Sequence, residues 1–281
     1  MSDRQAATVL REMAAALSTA SDTPMLDAEV LLHAACGIDR TMVARGDNLT
    51  PTDSEIQALE AMVVRRQQGE PIAYITGHKE FWSLDLELNK ATLVPRPETE
   101  ILVEQVLACI PVETAVDIAD LGTGSGAIAL ALASERPRAH IVATDISPPA
   151  LAQARANARR LGLATIDFRQ GDWLEPLAGM HFDVIASDPP YVGVGDPELE
   201  TRHTRFEPQQ ALLAGKDGLA AIRQICAAAS AHLKADGVLA LKHGPGQQTT
   251  VQALLLAAGF DSIVCTRDYA GLPRVTTCRW P

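Results

Sequence analysis

Strand-like and helix-like segments alternate along the chain from about residue 115, and this alternation constrains the fold more than any other feature. Short apolar runs have the length and composition of buried parallel strands; they span 116–121, 141–145, 166–169, 182–186 and 238–242. Helical segments follow at 127–134, 149–160, 219–233 and 251–258. This order predicts an α/β fold with a doubly wound, mostly parallel sheet. Apolar runs at 263–265 and 275–278 predict a C-terminal antiparallel hairpin.

The first 70 residues have a different pattern, which predicts a small helical bundle. Asp22-Thr23-Pro24 and Thr50-Pro51 are typical helix-start signals, because a polar cap precedes a proline in the first turn. Gly37 and Gly69 predict the ends of the two helices. We expect this bundle to shape or contact a substrate.

Residues 81–88 alternate apolar and polar side chains, as a hairpin strand does. A stiff segment around Pro95-Arg96-Pro97 then precedes a predicted helix at 101–109. We therefore predict three regions: the helical bundle at 1–73, a β-hairpin linker at 74–95 and the α/β domain at 96–281.

Composition and charge count against several classes of function. The formal net charge of −11 gives no global basic field for nucleic acid, so we expect no stable nucleic-acid partner. The seven histidines include no HExxH motif and no Cys/His cluster, so no metal site is predicted. The five cysteines lack CxxC spacing, which favours reduced thiols in a cytoplasmic protein.

Neither a membrane segment nor a self-association pattern is predicted. The residues Met1 to Gln5 lack an apolar signal core, and the apolar helical run 127–133 is too short to cross a bilayer. The sequence shows no heptad pattern, so we expect a monomer.

A glycine turn follows the first strand of the α/β domain and predicts a cofactor site. Gly122, Thr123, Gly124, Ser125 and Gly126 allow close backbone approach to a ligand, and the helix behind them offers free N–H groups. Ligands of such sheets bind at the carboxyl ends of the strands.

Acidic residues end the next two strands. Asp145 lies about 20 residues beyond the glycine turn, the spacing at which a carboxylate binds a ribose diol. Asp172 and Trp173 follow the third strand, where they would supply a hydrogen-bond acceptor and an apolar wall for adenine. This turn by itself fits two kinds of cofactor. One of them is a dinucleotide, because Gly122-x-Gly124-x-x-Ala127 satisfies the fingerprint of dinucleotide-binding proteins.

The fourth strand ends in Asp188-Pro189-Pro190-Tyr191. The two prolines fix φ and remove two backbone donors, Asp188 adds an acceptor, and Tyr191 adds a ring for stacking. This combination predicts a cradle for a planar NH2 group, with Asp188, Pro189, Pro190 and Tyr191 as catalytic and substrate-binding residues. An ordinary turn is the alternative for this segment by itself.

The segment 188–191 matches the [Asn/Asp/Ser]-Pro-Pro-[Tyr/Phe] motif of methyltransferases that act on planar nitrogens, and the glycine turn after Asp120 resembles the S-adenosylmethionine loop of class I methyltransferases. Further segments resemble the release-factor glutamine N5-methyltransferases (the PrmC/HemK family) along the full chain; they are 93–100, 171–173, 205–208 and 267–269.

The resemblance implies a Rossmann-like class I methyltransferase domain that methylates the glutamine of the Gly-Gly-Gln motif in class 1 peptide-chain release factors. It implies that Gly122, Thr123, Gly124, Ser125, Gly126, Asp145 and Trp173 hold S-adenosylmethionine, and Asp172 and Asp188 are predicted to border it. It also implies that 188–191 holds the glutamine.

Two residues depart from the family pattern. Asp188 stands where the family usually has Asn, and Lys242 stands where it often has an acidic residue. Asp188 can still accept an N–H, but it places a negative charge beside the sulfonium, so turnover is expected to differ.

Other functions stay open at this point. An adenine-N6 or cytosine-N4 nucleic-acid methyltransferase uses the same chemistry, and the acidic balance counts against it. A non-catalytic cofactor-binding module would account for the two departures. A nicotinamide dehydrogenase is the weakest alternative, because it has no need of an Asp-Pro-Pro-Tyr segment.

Overall fold

The computed structural model describes residues 5–47, 49–201 and 204–281. These residues form two compact units. The first comprises the described parts of Met1–His78 and Thr201–Phe206, and the second comprises Lys79–Glu200 and Glu207–Pro281. The region limits at 73 and 95 stay predictions, and the first four residues of the predicted bundle lie outside the described part of the chain.

The first unit is helical in its described part, as the sequence predicts. Its helices are α1 (Ala6–Leu17), α2 (Pro24–Cys36), α3 (Arg40–Ala44), α4 (Asp53–Gln67) and α5 (Ile72–Thr76). Their apolar faces share one core, which includes Val9, Leu31 and Leu59. Gly37 ends α2 in the left-handed conformation at φ 67°, as predicted.

The start of α4 differs from the prediction by two residues. Thr52, not Thr50, caps this helix, because the Thr52 hydroxyl accepts from the Glu55 N–H while the Glu55 carboxylate accepts from the Thr52 N–H. This reciprocal capping box satisfies two helix-end donors at once.

The predicted hairpin strand at 81–88 is in fact divided by a turn. β1 (His78–Phe81) and β2 (Leu84–Glu87) pair with each other, and Trp82 and Ser83 connect them with φ values of 52° and 58°. The alternating pattern runs through this tight turn, so it conceals the break.

The second unit contains a seven-stranded sheet, formed by described residues, in the order β5-β4-β3-β6-β7-β9-β8. Its strands are β3 (Asp117–Leu121), β4 (His140–Asp145), β5 (Asp167–Gln170), β6 (Phe182–Ser187), β7 (Leu233–Lys242), β8 (Asp261–Arg267) and β9 (Pro273–Arg279). β5, β4, β3, β6 and β7 are parallel, and β9 runs antiparallel to β7 and β8. The predicted doubly wound sheet with a C-terminal antiparallel hairpin is confirmed.

Helices cover both faces of this sheet; they are α6 (Thr99–Ala108), α7 (Ala127–Glu135), α8 (Pro148–Arg160), α9 (Ala220–Ala229) and α10 (Gln248–Ala257). Successive strand residues point to opposite faces. Ile118 and Val184 therefore belong to the core beneath α6, α7 and α8, whereas Ala119 and Ile185 belong to the core beneath α9 and α10. Burial on both faces explains why the strands are continuously apolar.

The structure between α9 and β7 also differs from the prediction. The helix predicted to reach Leu233 ends at Ala229, and Leu233 instead begins β7 by pairing with Phe182. Asp236 (φ 61°) and Gly237 interrupt the register of β7, and these turn-like residues conceal the first half of the strand.

No helix within the described residues has both the length and the apolar content needed to cross a bilayer.

Candidate active site

The carboxyl ends of β3, β4, β5 and β6 border a cavity that opens to solvent. The strand order reverses between β3 and β6, so the loops after these strands diverge and leave a crevice. The structure brings six of the predicted cofactor residues to this cavity: Gly122, Gly124, Asp145, Asp172, Trp173 and Asp188. We call it the large cavity.

Gly122 of the glycine turn lies close to the Trp173 side chain. Its φ of 74° is left-handed, and a Cβ at this position would lie 3.0 Å from the indole ring of Trp173. Trp173 itself has a positive φ of 46°, and its carbonyl accepts from the Thr144 hydroxyl at 2.9 Å. The turn and the indole are thus fixed against each other, which requires glycine at 122.

Asp145 fastens the glycine turn and still borders the large cavity. One of its oxygens accepts from the Gly124 N–H at 2.9 Å, and the other accepts from the Ser147 N–H at 2.8 Å. Burial raises the pKa of Asp145, against the effect of these hydrogen bonds. Each carboxylate oxygen has a further lone pair, so the group can still accept from two ligand hydroxyls.

The residues after β5 line the same cavity. The Asp172 carboxylate accepts from the side-chain amide of Gln224 at 2.7 Å. Ile146, which sequence reasoning missed, lines the cavity opposite this segment and is 57% exposed. A large apolar residue directly after a strand-ending acid is the signal that would have found it.

Three predicted residues of the glycine turn do not line the large cavity. Thr123 and Ser125 are buried, and the Ser125 carbonyl accepts from the Asn157 side chain. Gly126 packs against α7 and α8, where a Cβ would lie 3.0 Å from Leu130. These residues support the turn from beneath.

Asp120, at the end of β3, is wholly buried below the turn. Its Oδ2 accepts from the Thr123 hydroxyl at 2.6 Å and from the Ala129 N–H at 3.2 Å. Its Oδ1 has no hydrogen-bond partner among the described residues. Burial raises the pKa of this carboxyl to about 7.

A second, much smaller cavity adjoins the end of β6, and we call it the small cavity. Its lining includes Asp188, Pro189, Tyr191, Arg96 and Lys242. Asp188 lines both cavities, whereas Pro190 lines the large one. The four residues predicted to hold the planar nitrogen therefore lie where the two cavities meet.

The Asp188 carboxylate is paired with Lys242. The Lys242 ammonium lies 3.0 Å from each carboxylate oxygen, and the Thr99 hydroxyl donates to Oδ2 at 2.6 Å. The ammonium also lies 4.7 Å from the centre of the Tyr191 ring. The predicted negative charge at residue 188 is thus offset by Lys242, a pairing that sequence reasoning missed.

Arg96 is held in the wall of the small cavity by Glu207. The guanidinium lies 2.5 Å from the buried Glu207 carboxylate, whose other oxygen accepts from the Val94 N–H at 3.2 Å. The family-like segments 93–100 and 205–208 therefore meet at one ion pair. In contrast, Asp268 caps the turn between β8 and β9 through the Ala270 and Leu272 N–H groups.

Within the described residues, no group of three or more His, Cys, Asp or Glu side chains could hold a metal ion.

Comparisons with known proteins agree with this geometry. A family model described as "PrmC N-terminal domain" matches residues 8–77, and one described as "Methyltransferase domain" matches residues 113–265. A 16S rRNA N2 G1207 methyltransferase of T. thermophilus, solved with AdoMet and guanosine, superposes with a TM-score of 0.53 at 19% identity, covering 73% of this chain and 50% of that chain. This likeness shows the class I methyltransferase fold.

Sequence relatives identify the family. The chain is 45% identical over 271 residues to the release factor glutamine methyltransferase of Escherichia coli (strain K12), covering 96% of this chain and 97% of that protein. It is 43% identical over 263 residues to the protein of the same name in Coxiella burnetii (strain RSA 493 / Nine Mile phase I), covering 94% of each. At this identity over nearly its whole length, the chain belongs to the release factor glutamine methyltransferase family.

Proposed function

We propose that this enzyme transfers a methyl group from S-adenosylmethionine to the side-chain amide nitrogen (N5) of the glutamine in the Gly-Gly-Gln motif of class 1 peptide-chain release factors. The observation that carries the proposal is the place of Asp188, which lines both cavities. A methyl donor in the large cavity and a planar amide held at the end of β6 would meet there. Family membership supports glutamine as the acceptor.

The residues around the large cavity fit S-adenosylmethionine. Gly122 lines the cavity without a side chain, and a Cβ there would lie 3.0 Å from the Trp173 indole. Asp145 offers two acceptor oxygens for a ribose diol, and Trp173 and Ile146 offer apolar surface for adenine. When bound, S-adenosylmethionine supplies an electrophilic methyl group on a sulfonium sulfur.

The protein groups activate the amide by hydrogen bonding and position. An amide nitrogen is a poor nucleophile because its lone pair is delocalised into the carbonyl. Asp188, as an acceptor for one N–H, draws the nitrogen toward tetrahedral geometry. Pro189 and Pro190 carry no N–H that would compete for the carbonyls of the segment. Tyr191 supplies a flat surface for the amide plane. The nitrogen loses one N–H proton to water once the methyl group has left the sulfonium sulfur, so the arrangement needs no covalent nucleophile.

Further roles belong to this proposal. Thr123, Ser125 and Gly126 hold the turn that borders the donor, and Asp172 borders the adenine. The N-terminal bundle contacts the release factor, and the enzyme acts as a monomer in the cytoplasm without a stable nucleic-acid partner.

A labelling experiment tests the proposed function. The purified enzyme is incubated with methyl-labelled S-adenosylmethionine and a class 1 release factor, beside the same factor with Gln→Ala at Gly-Gly-Gln. Label on the unaltered factor alone is the expected result. Label on neither factor would contradict the proposal, and label on added DNA or RNA instead would favour the nucleic-acid alternative. Peptide mass spectrometry would locate the methyl group on the glutamine.

A further inference from the structure

The ion pair between Asp188 and Lys242 is built into the sheet. β6 and β7 run parallel with Ser187 opposite Leu241, so the next residue of each strand, Asp188 and Lys242, emerges at the same place. The Lys242 side chain is 1% exposed and that of Asp188 is 14% exposed. Each of these charges would be energetically costly to bury without the other, so the two residues depend on each other.

The pair leaves one acceptor position open. Oδ2 of Asp188 accepts from both Lys242 and Thr99, whereas Oδ1 accepts from Lys242. A carboxylate oxygen has two acceptor directions. Oδ1 therefore keeps one for a substrate N–H at the boundary of the two cavities, and the other hydrogen bonds fix its orientation.

The ammonium remains charged in this setting. Burial by itself lowers the pKa of Lys242, but the adjacent Asp188 carboxylate and the Tyr191 hydroxyl together more than offset it, and the pKa lies above its ordinary value. The Lys242 charge also faces the Tyr191 ring, which is a favourable position for a cation.

We propose that Lys242 is a positioning residue of the methyl transfer, which orients the Asp188 carboxylate and cancels its charge so that the pair serves as a neutral acceptor for the substrate NH2. This inference rests on the proposed function. An unpaired carboxylate would stabilise the positively charged sulfonium of the ground state more than the transition state, in which that charge is dispersed. Pairing with Lys242 removes this penalty and keeps the acceptor.

Three variants test the proposal: Lys242→Met, Asp188→Asn and the double variant. Lys242→Met leaves an unpaired carboxylate, so we expect kcat to fall about tenfold or more while the cofactor binds no more weakly. Asp188→Asn leaves a buried ammonium without its carboxylate, so kcat should also fall about tenfold or more and the melting temperature should decrease. In the double variant the asparagine side chain at position 188 is a neutral acceptor that can donate to Thr99, and kcat should return to within about threefold of the unaltered enzyme.

Lys234→Met is the matched control, since Lys234 also lies on β7 and pairs with two carboxylates, those of Asp117 and Asp183. None of these three residues lines either cavity. The kcat of the Lys234→Met variant should stay unchanged. Circular dichroism and the stoichiometry of cofactor binding establish that each variant is folded, and the Lys242→Met and double variants suffice if Asp188→Asn does not fold.

The outcomes separate the two proposals. An unaltered enzyme that transfers no methyl to the release factor would overturn the proposed function, and this inference with it. An active enzyme whose Lys242→Met variant keeps full kcat, or whose double variant is no better than the poorer single variant, would overturn the role of Lys242 alone. Recovery in the double variant, with an unchanged Lys234→Met control, supports it.

Discussion

Asp120 is a buried carboxyl group whose charge changes near neutral pH. Burial raises its pKa to about 7, whereas in the unfolded chain it would be about 3.9. The folded state therefore holds a proton that the unfolded state has released between these values. This stabilising contribution is complete below about pH 4 and is lost as the pH rises through about 7.

The Asp120→Asn variant isolates this effect, because asparagine has the same shape and does not titrate in this range. The difference in unfolding free energy between the variant and the unaltered protein should change by about 2 kcal/mol in favour of the variant from pH 5 to pH 7. Urea unfolding without cofactor at several pH values measures it. Parallel stability curves for the two proteins would show that Asp120 does not titrate as expected.

Contacts between residues that are distant in the chain could not be predicted from the sequence. Asp188, Asp145 and Trp173 could be placed at strand ends because the strands are recognisable as apolar runs. The Asp188–Lys242 pair could not, since it depends on the register of β6 against β7. Sequence reasoning therefore treated two linked residues as separate departures from a family pattern.

At the scale of elements, one buried side chain connects the β1–β2 hairpin to the glycine turn. Asn157 of α8 is 0% exposed; its oxygen accepts from the Glu87 N–H, and its nitrogen donates to the carbonyls of Glu87 and Ser125. The hairpin, the helix and the glycine turn thus share a single hydrogen-bonding group. The hairpin and the glycine turn are therefore both held to α8.

Changing Asn157 to Asp should destabilise the protein by about 2–4 kcal/mol, since two donated hydrogen bonds are lost and a carboxylate is buried beside carbonyl oxygens. Asn89→Asp makes the same chemical change at an exposed residue that bonds Gln153 of the same helix, and it should cost less than about 1 kcal/mol. Denaturant unfolding followed by tryptophan fluorescence compares the two. Equal losses of unfolding free energy in the two variants would mean that the buried hydrogen bonds of Asn157 contribute no more than the exposed one of Asn89.

Element types were predictable wherever the periodicity was strong, and element limits were not. The parallel strands and the helices between them were found from apolar runs. The turn at Trp82 and Ser83, the early start of β7 and the cap at Thr52 were missed, because each depends on local backbone geometry or on a pairing partner. The large cavity followed from strand order, whereas the small cavity depends on side chains from separate segments.

For the whole molecule, the two compact units have separate cores, and the residues that line the large cavity belong to the second unit. The tryptophans also lie in the second unit, at positions 82, 173 and 280. Tryptophan fluorescence therefore reports the second unit, whereas far-ultraviolet circular dichroism reports the helices of both.

Saturating S-adenosylmethionine should therefore raise the transition seen by tryptophan fluorescence and leave part of the helical signal unshifted. At about 100 times the dissociation constant the ligand stabilises its unit by about 2.7 kcal/mol, which corresponds to about 5–10 °C for a unit of this size. Thermal unfolding by both signals, with and without the ligand, measures the effect. Equal shifts in the two signals would show that the units unfold as one.

The pairing of Asp188 with Lys242 also bears on how this protein can evolve. A substitution at either position alone would leave a charge in the protein interior without its partner. Neutral substitutions at positions 188 and 242 are therefore restricted as a pair, even though each side chain by itself has chemically acceptable replacements. Engineers who wish to convert the motif to its asparagine form face the same obstacle and need to begin with both positions.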